Sequence, residues 1–540
     1  MHPDWAGIWP ALRQEAHFGD RVVSCFAERP PSLHALLEEA VARNAEGEAL
    51  VCGERRLSWR ALLDESARAA AGLARRGVGR GDRVALLLGN RIEFVVTLFA
   101  AARLGAIAVP IGTREQTPGL AYLLGHCAAV LLVHEAELAP LLPAAADLPA
   151  LRVRIAAGGD CAGSEPFAVL LEGAAAAPAP AAVAEEDCAA ILYTSGTTGR
   201  PKGAMLTHLG LVHSAMHYQI AMALGPEDCS IAAVPLSHVT GLVALIATMA
   251  RCAGKLCIMP AFKAADFIAL AERERMTHTL MVPAMYNLCL LQPDFEQREL
   301  GSWRVGAYGG APMPLATIET LAQRLPGLTL MNCYGSTETT SPATLMPAGR
   351  TAQHLASVGT RLGCVEIRVM DEAGRELPAG ETGEIWIHGP MVVPGYWNNP
   401  EATAQHFTAG FWHSGDLGAI DAEGYVRVVD RLKDMINRGG YKIYTIEVEN
   451  VLYAHPAVQE CAVVARPCPV LGERVHAFVS LKAPGTGADE LAAFCRPRLS
   501  DYKCPETWTL TTTPLPRNAN GKLLKRALRE SIPPEPERRT

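Results

Sequence analysis

The sequence predicts an α/β fold, built from β-sheets that are layered with helices. Three observations support this prediction. Strand-length apolar runs alternate with helix-length amphipathic runs as far as Met346, which is typical of a mostly parallel sheet covered by helices. Beyond Met346 the pattern changes to short alternating segments separated by turns, which predicts β-hairpins. After Asp430 the pattern becomes compact and mixed, which indicates a small separate α+β domain.

The first part of the chain shows the alternation most clearly. Helical periodicity over residues 57–77 predicts a helix, with Ser58 placed to cap its first turn. An apolar run at 83–88 predicts a buried strand, residues 91–105 predict a helix that ends at a glycine, and residues 106–111 predict another strand. Strand, helix and strand in this order are the pattern of a parallel sheet.

Two long apolar windows, residues 204–225 and 229–250, contain no Asp, Glu, Lys or Arg and approach the length that spans a bilayer. The first window carries three histidines, and the second carries Pro235, Ser237, His238 and a glycine. We therefore predict buried strands and helices of a large core here, and no membrane segment. The acidic residues at the N-terminus also argue against a signal peptide.

The overall charge and the cysteines narrow the class of protein. A formal net charge of −7 argues against a nucleic-acid partner and against a polybasic membrane anchor. The 15 cysteines are scattered and form no CxxC pair. This pattern predicts reduced thiols in the cytoplasm rather than a metal site.

A glycine- and hydroxyl-rich loop, YTSGTTGRPKG at residues 193–203, follows an Ala- and Pro-rich connector. It departs from the P-loop pattern GxxxxGK[ST], because a proline occupies the sixth position from Gly196 and a glycine follows Lys202. The apolar runs around it predict a strand, a loop and a second strand. Its amides and hydroxyls suit a polyphosphate, with Lys202 as the counter-charge. Taken alone, the composition also fits an ordinary surface turn.

The same loop resembles the signature of the AMP-forming acyl-adenylate synthetases, the superfamily of acyl-CoA synthetases, luciferase and nonribosomal-peptide adenylation domains. Further motifs of that superfamily follow in its order across most of the chain. They are YGGAPMP (308–314), NCYGSTETT (332–340), GEIWIHGP (383–390), GYWNNPEAT (395–403), FWHSGDLG (411–418), DRLKDMINRGGYKIYTIEVE (430–449) and PRNANGKLLK (516–525). By this ordered set the chain is identified as a member of the superfamily.

The resemblance implies an acid–thiol ligase that uses ATP, Mg²⁺ and coenzyme A. A carboxylate attacks the α-phosphate of ATP to give acyl-AMP and pyrophosphate, and a thiol then displaces AMP. Both steps gather negative charge, so they need fixed cations and donors rather than a protein nucleophile. It also implies a large N-terminal domain with a small β-barrel-like part at residues 1–430, a hinge at 431–433 and a small mobile C-terminal domain at 434–530. The Pro- and charge-rich composition of the last residues separately predicts a disordered tail at 531–540.

The resemblance also assigns the nucleotide site. Tyr334 is expected to stack on adenine, and Glu338 to be the protein ligand of Mg²⁺, an ion that prefers one or two carboxylates together with substrate phosphates. The expected catalytic residues are Lys202, Thr337, Glu338 and Lys522. The full ATP- and AMP-binding set is Thr194, Ser195, Gly196, Thr197, Thr198, Gly199, Lys202, Gly310, Ala311, Pro312, Asn332, Tyr334, Gly335, Ser336, Thr337, Asp416, Arg431 and Lys522.

Residues near the C-terminal domain receive separate roles. In this superfamily Asp416 accepts the ribose hydroxyls, and Arg431, beyond the turn DAEGY, is placed to converge on the same ribose. Lys433 occupies the hinge position. Lys522 enters the site for adenylation and then leaves it. A β-turn aspartate, a linker lysine and a tail lysine are the structural alternatives for Asp416, Lys433 and Lys522.

The remaining assignments concern coenzyme A and the acyl group. Arg438, Gly439, Gly440 and Lys442 are expected to bind coenzyme A, with the glycines leaving room for the pantetheine arm. The expected acyl pocket is His238, Val239, Gly241, Tyr308, Gly309, Gly310 and Ser341. It lacks both the Asp of amino-acid-activating relatives and the Arg of malonate-type ligases, so it favours a neutral fatty or aromatic acid, because an unpaired buried charge is costly. For His238 a satisfied core histidine is equally compatible.

Two alternatives remain open from the sequence. One is an acyl-AMP ligase that delivers the acyl group to a carrier-protein thiol, and the other is a non-catalytic binder of nucleotide or acyl ligand. The oligomeric state is open as well, a homodimer included.

Overall fold

The computed structural model describes residue 5 and residues 7–173, 177–194, 200–311, 313–468, 470–517 and 523–532. Its α-helices are Leu33–Asn44 (α1), Trp59–Arg75 (α2), Ile92–Leu104 (α3), Thr117–His126 (α4), Ala168–Leu171 (α5), His208–Ala221 (α6), Thr248–Cys252 (α7), Ala264–Arg273 (α8), Pro283–Leu290 (α9), Leu315–Arg324 (α10), Pro400–His406 (α11), Thr445–Tyr453 (α12), Ala488–Cys495 (α13) and Lys525–Glu530 (α14).

The strands of the first half of the chain are Leu12–His17 (β1), Arg21–Phe26 (β2), Glu48–Cys52 (β3), Arg55–Ser58 (β4), Arg83–Leu87 (β5), Ile107–Pro110 (β6), Leu131–Glu135 (β7), Val153–Ala157 (β8), Glu165–Pro166 (β9), Cys188–Thr194 (β10), Lys202–Thr207 (β11), Cys229–Ala232 (β12), Lys255–Ile258 (β13) and His278–Met281 (β14). Those of the second half are Val305–Gly309 (β15), Thr329–Tyr334 (β16), Thr344–Leu345 (β17), Thr360–Arg361 (β18), Glu366–Met370 (β19), Gly383–His388 (β20), Phe407–Thr408 (β21), Phe411–Ile420 (β22), Val426–Arg431 (β23), Ile436–Arg438 (β24), Tyr441–Ile443 (β25), Val458–Cys468 (β26), Gly472–Leu481 (β27) and Thr507–Thr511 (β28).

Two large sheets confirm the predicted α/β class. One has seven strands in the order β11-β10-β6-β5-β7-β8-β9, and the other has nine in the order β18-β17-β16-β15-β14-β12-β13-β3-β4. Pairing is parallel through their centres, for example between β5 and β6 and between β15 and β16. Smaller sheets have the orders β1-β2, β19-β20-β22-β21 with β23 beside β22, and β25-β24-β27-β26 with β28 beside β27.

The helix ends predicted from the sequence are confirmed. Ser58 caps α2, since its hydroxyl accepts a hydrogen bond from the Ala61 amide at 3.2 Å. Gly105 ends α3 in the left-handed conformation, with φ +65°. Glycine adopts this conformation without a steric penalty, which explains its place at the end of the helix.

The two long apolar windows are buried elements, as predicted. The first consists of β11 and α6, and the second of β12, a π-helical segment at Thr240–Ala247 and α7. Gly241, Ala244 and Ala247 of the π-helical segment are all buried. Among the described residues, no helix is both long enough and apolar enough to cross a membrane.

The chain divides into two compact units, which we call the larger and the smaller unit. The larger unit comprises Met1–Arg368, Trp386–His413 and Asp421–Val426, and the smaller unit comprises Val369–Ile385, Ser414–Ile420 and Arg427–Thr540. A cluster of buried apolar side chains, including Ile436, Val463 and Leu491, forms a core of the smaller unit.

Threonine is a preferred N-cap residue, but Thr445 is not the cap of the helix that follows it. The helix α12 begins at Thr445 itself, and its side chain makes no capping bond. Instead the carboxylate of Asp430 accepts hydrogen bonds from the Thr445 amide and, at 3.0 Å, from the Thr445 hydroxyl. The capping group thus comes from an earlier strand, and local sequence gives no signal for it.

Three histidines of α6 are buried in the larger unit and accept hydrogen bonds from other segments. His208 Nδ1 accepts from the Leu33 amide at 3.2 Å, and His213 Nε2 accepts from the Phe26 amide at 3.1 Å. An accepting ring nitrogen carries no proton, so these rings are neutral. Burial lowers the pKa of His208 to about 4 and that of His213 to about 3, and it holds the pKa of His217 well below its usual value.

These histidines predict a loss of stability on mild acidification. Below about pH 6.5 these histidines are protonated in the unfolded state but stay neutral in the folded state. Each buried ring therefore lowers the free energy of unfolding by about 1.4 kcal/mol for every unit by which the pH falls. We expect urea midpoints to be constant above that pH and to fall below it. His213→Gln should give a shallower slope than the native chain. Equal slopes for the two proteins would contradict this prediction.

Candidate active site

The glycine-rich loop lies between two paired strands of the larger unit. Strands β10 and β11 are antiparallel, with Thr194 opposite Lys202, which confirms the two strands predicted on either side of the loop. A P-loop would instead lead into a helix. Thr194 donates a hydrogen bond to Glu338 Oε1 at 3.3 Å. The end of strand β10, which leads into the glycine-rich loop, therefore meets the NCYGSTETT motif.

The Glu338 carboxylate lies at the centre of this meeting point. Glu338 is buried, with 6% of the residue exposed to solvent. Oε1 also accepts from the Tyr396 hydroxyl at 3.0 Å, and Oε2 accepts from the Ser336 hydroxyl at 2.7 Å. A carboxylate offers about four lone-pair positions, so three hydroxyl donors leave room for a further ligand. This buried oxygen donor fits the predicted role in holding Mg²⁺.

Lys202 lies beside the same cluster. Its residue is 8% exposed, and its Nζ is 4.6 Å from the centroid of the Tyr396 ring. Burial, and next the charge of Glu338, raise the pKa of Tyr396, which keeps its hydroxyl protonated as a donor. An ammonium group, a phenol and a carboxylate are thus held together at the base of the loop.

His406 is a residue that the sequence analysis missed. Its Nδ1 lies 2.9 Å from the Ala402 carbonyl, so it donates there, and Nε2 is left to accept from Lys202 Nζ at 3.1 Å. The only sequence signal was its place just after the GYWNNPEAT motif, at the end of α11. This hydrogen bond from Lys202 to His406 orients the Lys202 ammonium group.

We expect His406→Ala to raise the KM for ATP about tenfold, because hydrogen bonds to charged groups contribute about 1.5–3 kcal/mol. The kcat at saturating ATP should change less. Pyrophosphate release at varied ATP measures both constants. His354→Ala is the control, since that half-buried ring stacks on Tyr425 and bonds no lysine in the described contacts. An unchanged KM for ATP would rule out this role for His406.

The predicted adenine and acyl segments end at one sheet edge. In the parallel pair β15 and β16, Tyr308 is opposite Asn332 and Gly309 is opposite Cys333. Carboxyl ends of neighbouring parallel strands meet at the same edge, where α/β proteins bind ligands. A Cβ on Gly309 would lie 2.5 Å from the Cys333 carbonyl oxygen, so this position requires glycine.

The residues after these strands form tight turns. Gly310 has φ +78°, and Ala311 is exposed. A Cβ on Gly335 would lie within 3.2 Å of the backbone of the 342–343 segment. Ser336 and Thr337 are half-buried, as is the Tyr334 ring. The adenine-side residues are thus partly exposed at this edge of the sheet. Asn332 is buried, and its side-chain amide donates a hydrogen bond to the Ser357 carbonyl at 3.2 Å.

Three of the predicted acyl-side residues, His238, Val239 and Gly241, lie at the start of the π-helical segment. His238 and Val239 are half-buried, and a Cβ on Gly241 would lie 2.3 Å from the Pro235 carbonyl oxygen. Ser341 Oγ lies 2.8 Å from the hydroxyl of the buried Tyr218. No charged side chain occurs among the seven residues assigned to this pocket, all of which the structure describes.

A second residue missed from the sequence supports this segment. The buried Asn90 accepts from the Leu236 amide at 2.8 Å and donates to the carbonyls of Val234 at 2.9 Å and Met259 at 3.0 Å. Its side chain fixes the backbone that leads to His238.

Asp416 and Arg431 converge in the smaller unit, as the sequence predicted. Arg431 Nε lies 2.7 Å from Asp416 Oδ1, and the aspartate is 5% exposed. The Ser414 hydroxyl accepts from the Asp416 amide at 3.0 Å. The Asp416 carboxylate is therefore held by the guanidinium group of Arg431 and by the local turn at Ser414. Lys433, two residues after Arg431, is exposed.

The segment assigned to coenzyme A is a hairpin between β24 and β25. Its central residues Gly439 and Gly440 have φ +59° and +94°, which is typical of a type I′ turn. Arg438 Nε is 2.7 Å from Glu506 Oε1, and Lys442 Nζ is 3.0 Å from Glu372 Oε1. The turn geometry alone requires the two glycines, a reason that the sequence analysis did not consider.

Some predicted site residues lie outside the described residues. They are Ser195, Gly196, Thr197, Thr198, Gly199, Pro312 and Lys522.

Comparison with known proteins identifies the family of this chain. Residues 37–397 match the family model described as AMP-binding enzyme, and residues 447–522 match the AMP-binding enzyme C-terminal domain. Feruloyl-CoA synthase of an Amycolatopsis species is 37% identical over 475 residues, which cover 88% of this chain and 93% of that protein. Long-chain-fatty-acid–CoA ligase FadD13 of Mycobacterium tuberculosis is 34% identical, over 86% of this chain and 90% of its own.

A solved structure extends the similarity to the fold. The o-succinylbenzoate CoA synthetase MenE of Bacillus subtilis, solved with its acyl-adenylate intermediate, is 29% identical with a TM-score of 0.83. The alignment covers 94% of this chain and 99% of MenE. The same enzyme has also been solved with ATP and a magnesium ion.

Proposed function

The chain belongs to the AMP-binding enzyme family, and we propose that it is an acyl-CoA synthetase acting on a neutral fatty or aromatic carboxylic acid. The observation that carries the proposal is the cluster of Glu338, Lys202 and Thr194 at the ends of the two strands that flank the glycine-rich loop. Such a cluster places a carboxylate, an ammonium group and a hydroxyl where a polyphosphate would enter.

In the first half-reaction the substrate carboxylate attacks the α-phosphate of ATP and pyrophosphate leaves. Lys202 would neutralise phosphate charge, with its ammonium group aimed by His406. Glu338 would hold Mg²⁺, which when bound neutralises charge on the phosphate oxygens. Thr337 would donate its hydroxyl to the reacting phosphate, and Tyr334 would stack on adenine. Fixed donors of this kind act because they are in place before charge develops.

The smaller unit would supply the remaining groups. Asp416 would accept the two ribose hydroxyls, while Arg431 holds its carboxylate in place. Lys522 would bring a cation to the carboxylate and the α-phosphate in the first step, with Lys433 as the hinge. In the second step the thiol of coenzyme A attacks the acyl carbonyl and AMP leaves, and Arg438 and Lys442 would bind the phosphates of coenzyme A.

The uncharged acyl-side residues support a neutral acid as the substrate. A carboxylate or ammonium group on the acyl chain would enter this segment unpaired, at a cost of several kcal/mol. The feruloyl and long-chain fatty acyl relatives are consistent with both aromatic and aliphatic acids. The free state of all 15 cysteines, each within the described residues, supports the proposed cytoplasmic location.

An acid panel tests the function. Acetate to palmitate, benzoates, cinnamates and dicarboxylates are supplied with ATP and Mg²⁺, and pyrophosphate is measured with and without coenzyme A. We expect release with neutral acids, none with malonate, and an acyl-CoA product by mass spectrometry. Acyl-AMP that persists with coenzyme A but acylates a carrier protein would support the carrier-protein alternative. If no acid on the panel causes formation of AMP, the result would support a non-catalytic binder.

The homodimer stays a prediction, which sedimentation velocity tests.

A further inference from the structure

Described residues anchor both sides of the segment that contains Lys522. Arg517 and Leu523 form an antiparallel bridge across residues 518–522. The Leu524 amide donates to the Pro516 carbonyl at 2.9 Å. Leu523 also packs on an apolar cluster that includes Phe478 and Leu528. The described residues on the two sides of this segment are therefore held together in the smaller unit.

Lys525, at the start of α14, connects these flanking residues to helix α12. Its Nζ lies 2.7 Å from Glu449 Oε1 and donates to the Thr445 hydroxyl at 2.8 Å. The side chains of Lys525 and Glu449 are only 18% and 13% exposed. Glu449 Oε1 also accepts from the Val463 amide at 2.7 Å. A buried pair with this many partners has a defined geometry, and removal of one partner leaves a buried charge.

The same network reaches Asp430, next to Arg431 and the proposed hinge. Asp430 is 1% exposed and accepts from the Thr445 hydroxyl that Lys525 also contacts. Burial raises the pKa of both Asp430 and Glu449, and the positive charge of Lys525 opposes both shifts. One ammonium group thus compensates two buried carboxyl groups from different elements.

We propose that Lys525 is a positioning residue for adenylation: through Glu449 and Thr445 it fixes residues 523–525, which directly follow Lys522 in the chain, to α12 and to Asp430. The inference rests on the proposed role of Lys522 in the first half-reaction. A cation that must contact two reacting groups loses effect when its attachment shifts, and a misplacement of about 1 Å can lower a rate about 10²-fold. The thiol step, which does not use Lys522, is insensitive to this anchor.

The test is Lys525→Met, assayed in each half-reaction separately. We expect acyl-AMP formation to fall roughly 10- to 100-fold, while thioester formation from supplied acyl-AMP stays within about threefold. Lys503→Met is the matched control, because Lys503 is also 18% exposed and pairs with Glu447 of α12 at 2.7 Å. It should leave both half-reactions within about threefold. Lys525→Arg, which keeps the charge, should recover most of the adenylation rate.

Each outcome decides the proposal. A selective loss in Lys525→Met, with recovery in Lys525→Arg, supports positioning. An unchanged adenylation rate, or equal losses in both half-reactions, overturns it. If Lys525→Met does not fold, Thr445→Val removes one partner of Lys525 at constant shape and should give a smaller loss, again in adenylation alone. Lys522→Ala is run in parallel: if it retains adenylation, the role of Lys522 fails, and that result is distinct from a failure of the anchor alone.

Discussion

Lys522→Ala is expected to lower acyl-AMP formation by about 10²-fold or more, because it removes a cation that acts where charge develops in the transition state. Thioester formation from pre-made acyl-AMP should be largely preserved, since the thiol step uses the other groups of the smaller unit. Rapid-quench measurement of acyl-AMP in the absence of coenzyme A gives the first rate. Mixing the variant with acyl-AMP and coenzyme A gives the second.

The control for this variant is Arg526→Ala. Arg526 is a neighbouring cation whose side chain is 70% exposed and pairs only with Glu530 among the described contacts. We expect both half-reactions to be unchanged there, because an exposed pair within one helix contributes little. Equal losses of both half-reactions in Lys522→Ala would assign the lysine to the fold of the smaller unit instead.

The sequence predicted best what is encoded locally. Ser58 and Gly105 were correct as helix ends because a cap depends on residues within one turn. The two strands of the β10–β11 hairpin were also correct, since the proline and glycines between them exclude the P-loop spacing. Glu338 and Lys202 were named through the resemblance, and the structure brings both to the base of that hairpin.

Contacts between distant segments escaped prediction for a physical reason. His406 follows Lys202 by 204 positions, and Asn90 contacts a segment 146 positions later. Neither side chain belongs to a periodic pattern or a motif, so only the packed fold shows that they hold site residues. The capping of α12 has no local signal for the same reason, because the Thr445 amide donates to Asp430, which lies on the earlier strand β23. Positioning residues are encoded by tertiary packing rather than by spacing.

Glu338→Gln is expected to lower adenylation about 10²-fold and to raise the Mg²⁺ concentration needed for half-maximal rate. The amide keeps an oxygen for the hydroxyl of Tyr396, so the site should stay folded while the charge that attracts the cation is lost. Glu274→Gln is a matched control, since Glu274 is also 6% exposed and pairs with Arg56 and Lys255. That variant should lower the thermal midpoint and leave the Mg²⁺ dependence unchanged. If Glu338→Gln shows the native Mg²⁺ dependence, Glu338 is a structural acceptor for its hydroxyl donors and the cation is held elsewhere.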